Sequence, residues 1–178
     1  APTTTTTWKI DPTHSDVEFA VKHLMITTVK GRFSDVEGEI VIVPGNPSAS
    51  TVSATIKAAS IDTRAGQRDD HLRSADFLHA ESFPEITFRS TRITGDGSAF
   101  KVSGDLTIRG TTREVILEAT NEVSTKDPWG GERIAFTAKT RIDRRDYGLT
   151  WNQAIESGGV MVGTEVKISI EIQAVKQG

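Results

Sequence analysis

The sequence DVEFAVKH at residues 16–23 alternates apolar and polar side chains. Its odd-numbered positions hold three apolar residues and a histidine, namely Val17, Phe19, Val21 and His23. Successive side chains of a strand point to opposite faces, so this set shares one face and the charged residues share the other. An apolar face opposite a polar face predicts a strand of an antiparallel sheet that buries one side.

The same alternation recurs along most of the chain. It is found at residues 36–42, 52–58, 86–90, 100–108, 115–119, 136–142 and 166–172. Turn-forming sequences separate several of these segments, among them Gly95-Asp96-Gly97, Arg109-Gly110 and Asp127-Pro128. Eight such strands predict an all-β fold, either an up-and-down antiparallel barrel or a two-sheet sandwich.

One segment departs from the strand pattern. Residues 67–80 read QRDDHLRSADFLHA and place Leu72, Ala75 and Leu78 at a spacing of three. Acidic residues near its start suit the positive end of a helix dipole. This pattern predicts one short helical segment near 67–80, in a connection that could close one end of a barrel.

The bulk of the inward-facing residues decides whether the interior is filled. An eight-stranded barrel is either packed by side chains or holds one small ligand. Here the inward sets include small residues that favour a cavity, namely Ala54, Ala58, Ser90, Gly104, Ala119 and Ala138. We expect a long apolar ligand to contact His23 and twelve apolar residues, which are Val17, Phe19, Val21, Ile40, Ile56, Phe88, Phe100, Leu106, Leu117, Phe136, Ile168 and Ile170. Patterning alone leaves open a sandwich whose faces interdigitate without a cavity.

Length and composition set limits on the organisation and the partners of the chain. The 178 residues carry a net charge of −3 and no cysteine, which predicts one domain at residues 8–178 behind a disordered leader at residues 1–7. A basic stripe is absent, which argues against a nucleic-acid partner, and no apolar run approaches the roughly 20 residues that span a membrane. No signal-peptide pattern is visible, which favours the cytoplasm, but a periplasmic or secreted location stays open if a leader was removed.

Catalytic and metal-binding motifs are not evident in the sequence. The four histidines lack metal-ligand spacing, no serine has a G-x-S-x-G setting, and no glycine-rich loop has the context of a phosphate site. We therefore predict no metal, no cofactor and no enzyme activity. Two alternatives stay open: an enzyme that acts on a lipid through the region of His23 or His71, and a structural or stress-response module with a packed interior.

Polar residues near the break in the strand pattern are candidates for contact with a ligand head group. They are Arg68, Asp70, His71 and Arg73, together with His23. A buried polar head needs partners, and these residues could supply them. The alternative is that the cluster caps the short helix and pairs its own charges. Likewise, the sequence Asp143-Arg144-Arg145-Asp146 could bind a phosphate or form an internal network of ion pairs.

Several motifs in order resemble those of a known family. They are Trp8–Ser15, Val29–Phe33, Ser60–Thr63, Arg68–Leu78, Phe83–Phe88, Gly104–Thr112, Asp127–Gly130 and Arg144–Asn152, with Val162-Gly163 before the last strand. Together they resemble the YceI-like polyisoprenoid-binding proteins across nearly all of residues 8–175.

The resemblance implies an extended, lipocalin-like, eight-stranded antiparallel barrel with a long apolar pocket. It implies binding of a polyisoprenoid or an isoprenoid-quinone precursor for transport, storage or sequestration, with a fatty acid or fatty amide as the alternative ligand. A homodimer and a role in stress response are further implications of the resemblance.

Overall fold

The alternating segments of the sequence form strands in the computed structural model. The structure describes residues 5–24, 26–96, 98–126, 128, 130–152 and 162–177. Within them lie eleven strands: β1 (Thr6–Ile10), β2 (Asp16–His23), β3 (Thr27–Phe33), β4 (Val36–Ile42), β5 (Thr51–Lys57), β6 (Ile61–Asp62), β7 (Glu85–Asp96), β8 (Ala99–Ile108), β9 (Thr111–Lys126), β10 (Glu132–Asp143) and β11 (Glu165–Gln177). One α-helix, α1, spans Gly66–Arg73.

Eight of these strands form a closed ring. Their order is β1-β4-β5-β7-β8-β9-β10-β11, and β11 pairs with β1 to complete it. All the pairings are antiparallel. The predicted closed eight-stranded barrel is therefore confirmed, and the sandwich alternative is wrong because a sandwich would leave unpaired edges where β1 joins β11.

The three remaining strands, β2, β3 and β6, join the ring through the pairing of β2 with β11. The C-terminal part of β11 pairs with β1, whereas Lys167–Glu171 pairs with β2. A short 3₁₀ turn at Pro12–His14 separates β1 from β2, and the Asp11 side chain caps this turn by accepting the Thr13 amide at 2.9 Å. β2 continues into β3 and β6, and we call these three strands the side sheet.

Local sequence explains two tight features of the barrel wall. Arg109 and Gly110 both have positive φ and join β8 directly to β9, which is the geometry of a two-residue hairpin turn. Gly104 packs against the Phe88 ring so closely that a Cβ atom there would lie 2.5 Å from Cζ of that ring. Only glycine therefore fits at position 104.

The helical segment is shorter than the sequence pattern predicts. It ends at Arg73, because Ser74 has an extended backbone and its amide bonds to the His71 carbonyl. The chain then continues through turns, in which the Leu78 amide bonds to the Leu72 carbonyl at 2.9 Å. The prediction of a helix near 67–80 was thus right for its first half only. In the described part of the chain, no helix has the length and apolar character to cross a membrane.

The start of the barrel also differs from the prediction. β1 begins at Thr6, inside the segment predicted as a leader, and pairs Thr6 with Ile42. Residues 1–4 of that predicted leader lie outside the described residues.

Buried side chains are concentrated in two clusters. The larger one contains Phe77, Leu78, Tyr147 and Leu149 beside α1 and continues along β7, β8 and β9. The smaller one contains Trp8, Ile40, Ile134 and Ala174 near the opposite end of the barrel. The space between the barrel walls holds the cavity.

Candidate binding cavity

The barrel encloses a cavity of about 1090 Å³. Its wall is formed mainly by aliphatic and aromatic side chains of the ring and of the side sheet. All thirteen residues that the sequence predicts as ligand contacts, from Val17 to Ile170, line this cavity. The structure thus brings them together, and their contact with a ligand stays a prediction.

Small residues on neighbouring strands leave the space. Ala119 pairs with Ala138 across β9 and β10, and Ala138 pairs on its other side with Ile170. Ala54 on β5 also lines the cavity, whereas its partner Gly38 on β4 does not, because the Ile10 side chain packs against it. Because protein interiors pack densely, adjacent residues with little or no side chain leave volume that larger ones would fill.

Three of the small residues predicted to leave space do not line the cavity. Ala58 is fully buried in the larger cluster, and the Phe88 ring covers Gly104. The Ser90 hydroxyl accepts the Val52 amide at 2.8 Å. The predicted origin of the cavity was therefore right for Ala54, Ala119 and Ala138 and wrong for these three.

The cavity reaches exposed residues at two ends. At the α1 end, Lys22, Gln67 and Arg68 are exposed and His23 is half-buried, and we call these four residues the α1 mouth. At the opposite end, Gly45, Gly95 and Asn121 are exposed and form the far mouth.

His23 and Gln67 are the two residues of the α1 mouth whose side chains make no hydrogen bond among the described residues, whereas Lys22 and Arg68 are bonded. Of the two, His23 is the one that continues the apolar face of β2. Its carbonyl accepts the Ile26 amide, but its imidazole has no hydrogen-bond partner among the described residues. A solvent-accessible imidazole can donate or accept a hydrogen bond. His23 can therefore form a hydrogen bond with a ligand without breaking a hydrogen bond within the protein.

Arg68 lines the same mouth but is held by internal bonds. Its guanidinium donates to the hydroxyl and the carbonyl oxygen of Thr63, each at 2.7 Å. Thr63 in turn donates to the buried carboxylate of Asp69 through its amide and its hydroxyl. This network fixes the first turn of α1 to the segment after β6, so Arg68 has a structural role whatever else it contacts.

His71 lies in an aromatic cluster at the cavity wall. Its Nε2 is 2.9 Å from a carboxylate oxygen of Asp76, and its ring meets the rings of Phe77 and Trp151 edge-on. The ring centroids of His71 and Trp151 are 4.7 Å apart. The cluster covers the end of the barrel beside α1.

Asp70 and Arg73 do not line the cavity. Arg73 donates to the carbonyls of Ala59 and Ile61 at 2.9 and 3.0 Å, and pairs with Asp70 at 3.0 Å. The two side chains thus brace β6 against α1, as in the alternative interpretation of this cluster. Their contact with a head group stays a prediction.

Arg144 is a cavity residue that the sequence analysis did not select as one. It is buried, and its guanidinium donates to the carbonyls of four residues at 2.6 to 3.2 Å, which are Leu149, Trp151, Val162 and Gly163. Desolvation lowers the pKa of this guanidinium. Arg144 directly follows β10 and begins the 3₁₀ turn, and it is the next even-numbered residue after the inward-facing Ile142, so the alternation of β10 could have indicated it.

Tyr147 also lines the cavity and lies in the larger buried cluster. Its hydroxyl is buried without a hydrogen-bond partner among the described residues. Burial raises the pKa of this hydroxyl to about 12, so it stays protonated at neutral pH. No regular pattern in the sequence distinguishes Tyr147, because it lies in a 3₁₀ turn after β10.

The other charged residues of this segment pair with each other. Arg145 contacts Asp143 at 2.6 Å, and this hydrogen bond lowers the pKa of the Asp143 carboxyl to about 2. The interpretation as an internal ion pair holds for Asp143 and Arg145, whereas Arg144 bonds to backbone. Among the described residues, no group of three histidine or carboxylate side chains has the arrangement of a metal site.

The fold and the cavity define a class of protein: a closed antiparallel barrel with a large apolar interior. A family model for the YceI-like domain matches residues 8–174. Protein YceI of Salmonella newport is 37% identical over 172 residues, which cover 96% of this chain and 87% of the relative. The chain belongs to the YceI-like family.

Two solved structures show the same barrel. A Campylobacter jejuni YCEI protein superposes with a TM-score of 0.76 at 31% identity, over 88% of this chain and 90% of that one. A polyisoprenoid binding domain from Saccharophagus degradans superposes with a TM-score of 0.66 at 16% identity, over 96% and 98% of the two chains. These similarities confirm the family and the lipocalin-like fold expected from the sequence.

Proposed function

We propose that this protein binds one long-chain isoprenoid lipid along the axis of its barrel. The observation that carries the proposal is the apolar cavity of about 1090 Å³. A water molecule takes up about 30 Å³ in the liquid and a methylene a similar volume, so this cavity accommodates about 35 carbon-sized groups. Each buried methylene contributes about 0.8 kcal/mol, which favours long chains.

Two relationships support an isoprenoid as the ligand. The chain belongs to the YceI-like family, and the Saccharophagus degradans domain with the same fold is named for polyisoprenoid binding. A fatty acid or fatty amide has the same apolar chemistry, and the ligand test must separate these classes.

Organic extraction of the purified protein, followed by native mass spectrometry of the untreated sample, tests whether a lipid is bound. Titrations with polyprenols from geraniol to a hexaprenol, and with fatty acids and fatty amides of matched length, then identify the class. Affinity should rise with chain length until the cavity is full, and it should be highest for the polyprenols. Affinity that does not depend on chain length would contradict burial of the chain in the barrel.

We also propose that the polar end of the lipid lies at the α1 mouth, with His23 as its main contact. At the α1 mouth the His23 imidazole has no internal partner among the described residues and shares the mouth with the cationic side chains of Lys22 and Arg68. The polar side chains that line the opposite end are neutral: they are the Asn121 amide and the Ser50 hydroxyl, which already accepts the Val43 amide at 2.9 Å. Arg68 and His71 lie on the same part of the wall and are secondary contacts. A polar head buried without such partners would cost free energy.

Replacement of His23 by alanine tests this placement. We expect the variant to bind a hexaprenol about tenfold more weakly, because a lost hydrogen bond to a polar group costs about 1–2 kcal/mol. Binding of squalene, which has no polar head, should change little. Asp70→Asn is the matched control, because Asp70 lies outside the cavity lining. Equal losses of hexaprenol affinity in both variants would indicate that the head group contacts the surface of α1 instead of His23.

A carrier role without catalysis completes the proposal. In this role the barrel transports, stores or sequesters its lipid, and it forms a homodimer that sedimentation can detect. Recovery of the extracted lipid unchanged after long incubation with the protein is the expected result. Conversion of the lipid that His23→Ala abolishes would replace the carrier role with an enzymatic one.

A further inference from the structure

Two exposed apolar side chains lie at the tip of the β2–β3 hairpin. Ile26 is 77% exposed and Leu24 is 36% exposed, and with Ile116 they are the exposed large hydrophobic residues of the described chain. Leu24 has a positive φ, and the Ile26 amide bonds back to the His23 carbonyl at 3.1 Å. This backbone bond closes the turn, while the side chains of Leu24 and Ile26 face solvent at a cost in free energy.

The same hairpin forms part of the cavity wall. Val21 and His23 on β2 and Val29 on β3 line the cavity, and Lys22 belongs to the α1 mouth. The apolar tip thus lies within three residues of side chains that contact the interior. Whatever surface the tip touches is next to the α1 mouth.

The outer part of the hairpin is basic in a chain that is acidic overall, whereas its base carries Asp16 and Glu18. Residues 20–31 contain Lys22, Lys30 and His23 and no carboxylate, whereas the whole chain has a net charge of −3. Both lysines are exposed. Burial of apolar side chains and attraction of lysines to anionic lipids, at about fivefold in affinity or about 1 kcal/mol for each lysine near the surface, are the two contributions to binding at a bilayer interface.

We propose that the β2–β3 hairpin docks on an anionic membrane surface. Leu24 and Ile26 enter the interfacial region, Lys22 and Lys30 contact anionic head groups, and the α1 mouth then faces the bilayer. The loading of a lipid by this route rests on the proposed function, whereas docking can be measured without any ligand.

Co-sedimentation with vesicles tests the docking directly. Phosphatidylcholine vesicles with and without phosphatidylglycerol provide the anionic and the neutral surface. We expect the wild type to bind the anionic vesicles and to lose this binding at high salt, because exposed charges are screened. Ile26→Asp should weaken binding at least about tenfold, since it removes burial of a large aliphatic side chain and adds a repelled charge. Lys30→Glu should weaken binding to anionic vesicles alone.

Ile116→Asp is the matched control, because Ile116 is 49% exposed on β9 and does not line the cavity. It should bind vesicles as the wild type does. Equal binding by Ile26→Asp and the wild type, or no binding by the wild type, would overturn the proposal. A dimer in the wild type that Ile26→Asp dissociates would also overturn it, because a second copy would then cover the tip.

Lipid uptake from ethanol, measured without vesicles, separates this proposal from the proposed function. Ile26→Asp should take up a hexaprenol from ethanol as the wild type does, and should be slower only when the hexaprenol is supplied in anionic vesicles. A wild type that docks on vesicles but binds no lipid would refute the proposed function and leave the docking proposal standing.

Discussion

Replacement of Ala138 by phenylalanine places an aromatic ring inside the cavity. Ala138 lines the wall at the middle of β10, between Ala119 and Ile170. Benzene fills engineered cavities of about 150 Å³, so the added ring removes about a seventh of the 1090 Å³ available. At about 30 Å³ for each methylene it displaces about five methylenes of a bound chain, which amounts to about 4 kcal/mol or a loss in affinity on the order of 10³.

The loss should depend on ligand length. A heptaprenol, whose carbon chain fills the cavity of about 35 carbon-sized groups, should lose most of this affinity, whereas geraniol should bind as before because space for it remains. Titration of both ligands and a thermal melt of the same sample provide the measurements. Ala99→Phe is the control, since Ala99 is exposed on β8 and lies outside the cavity lining.

Two outcomes would refute this reasoning. Equal losses for the short and the long ligand would mean that the ring perturbs the barrel instead of occupying ligand space. Destabilisation of the free protein by about 1–3 kcal/mol would indicate an overpacked interior, and with it the absence of the cavity.

Two further predictions concern single polar groups. Tyr147→Phe should leave the free energy of unfolding unchanged or raise it by about 1 kcal/mol, because the buried hydroxyl has no partner among the described residues; a loss of stability in urea unfolding would show that the hydroxyl is bonded. The Arg133 guanidinium donates a hydrogen bond of 2.8 Å to the Asp11 carboxylate, and this bond holds the pKa of the carboxyl well below 3.8. A hydrogen bond from the Thr13 hydroxyl lowers the pKa further. Because the pKa is lower in the folded than in the unfolded state, the ionised carboxylate stabilises the fold above pH 3.8. This stabilisation is lost as the pH falls through the folded-state pKa. Asp11→Asn should therefore cost about 1–2 kcal/mol at neutral pH and less in acid, and a cost that does not change with pH would contradict the linkage.

The ring strands and the cavity wall could be predicted because they follow a period of two. The face that a side chain occupies depends only on its parity within a strand, so Val17 and Ile170 were placed on one wall without knowledge of their pairing. The same rule extends to Arg144 and Asn121, which continue inward-facing sets and do line the cavity.

Features that depend on distant pairing or on irregular backbone could not be predicted in this way. The division of β11 between β1 and β2 depends on pairs that lie about 150 to 170 residues apart in the sequence, and it leaves no local pattern. Tyr147 reaches the cavity from a 3₁₀ turn and Trp151 from an irregular segment, where no periodicity tells which way a side chain points. The end of α1 depends on the extended backbone at Ser74, which the leucine spacing does not reveal.

The side sheet is the part of the barrel wall that can open locally, because its strands are less fully paired than the ring strands. Each ring strand has a partner on both sides, whereas β3 pairs with β6 only at Arg32 and Phe33 among the described residues. Local opening of Thr27–Gly31 therefore breaks the ladder with β2 alone and leaves the ring intact. Amide hydrogens of this segment should exchange through small, frequent fluctuations, while those of β8 and β9 exchange only when the whole domain unfolds. A protein of this construction can widen one wall beside its α1 mouth without giving up its global stability.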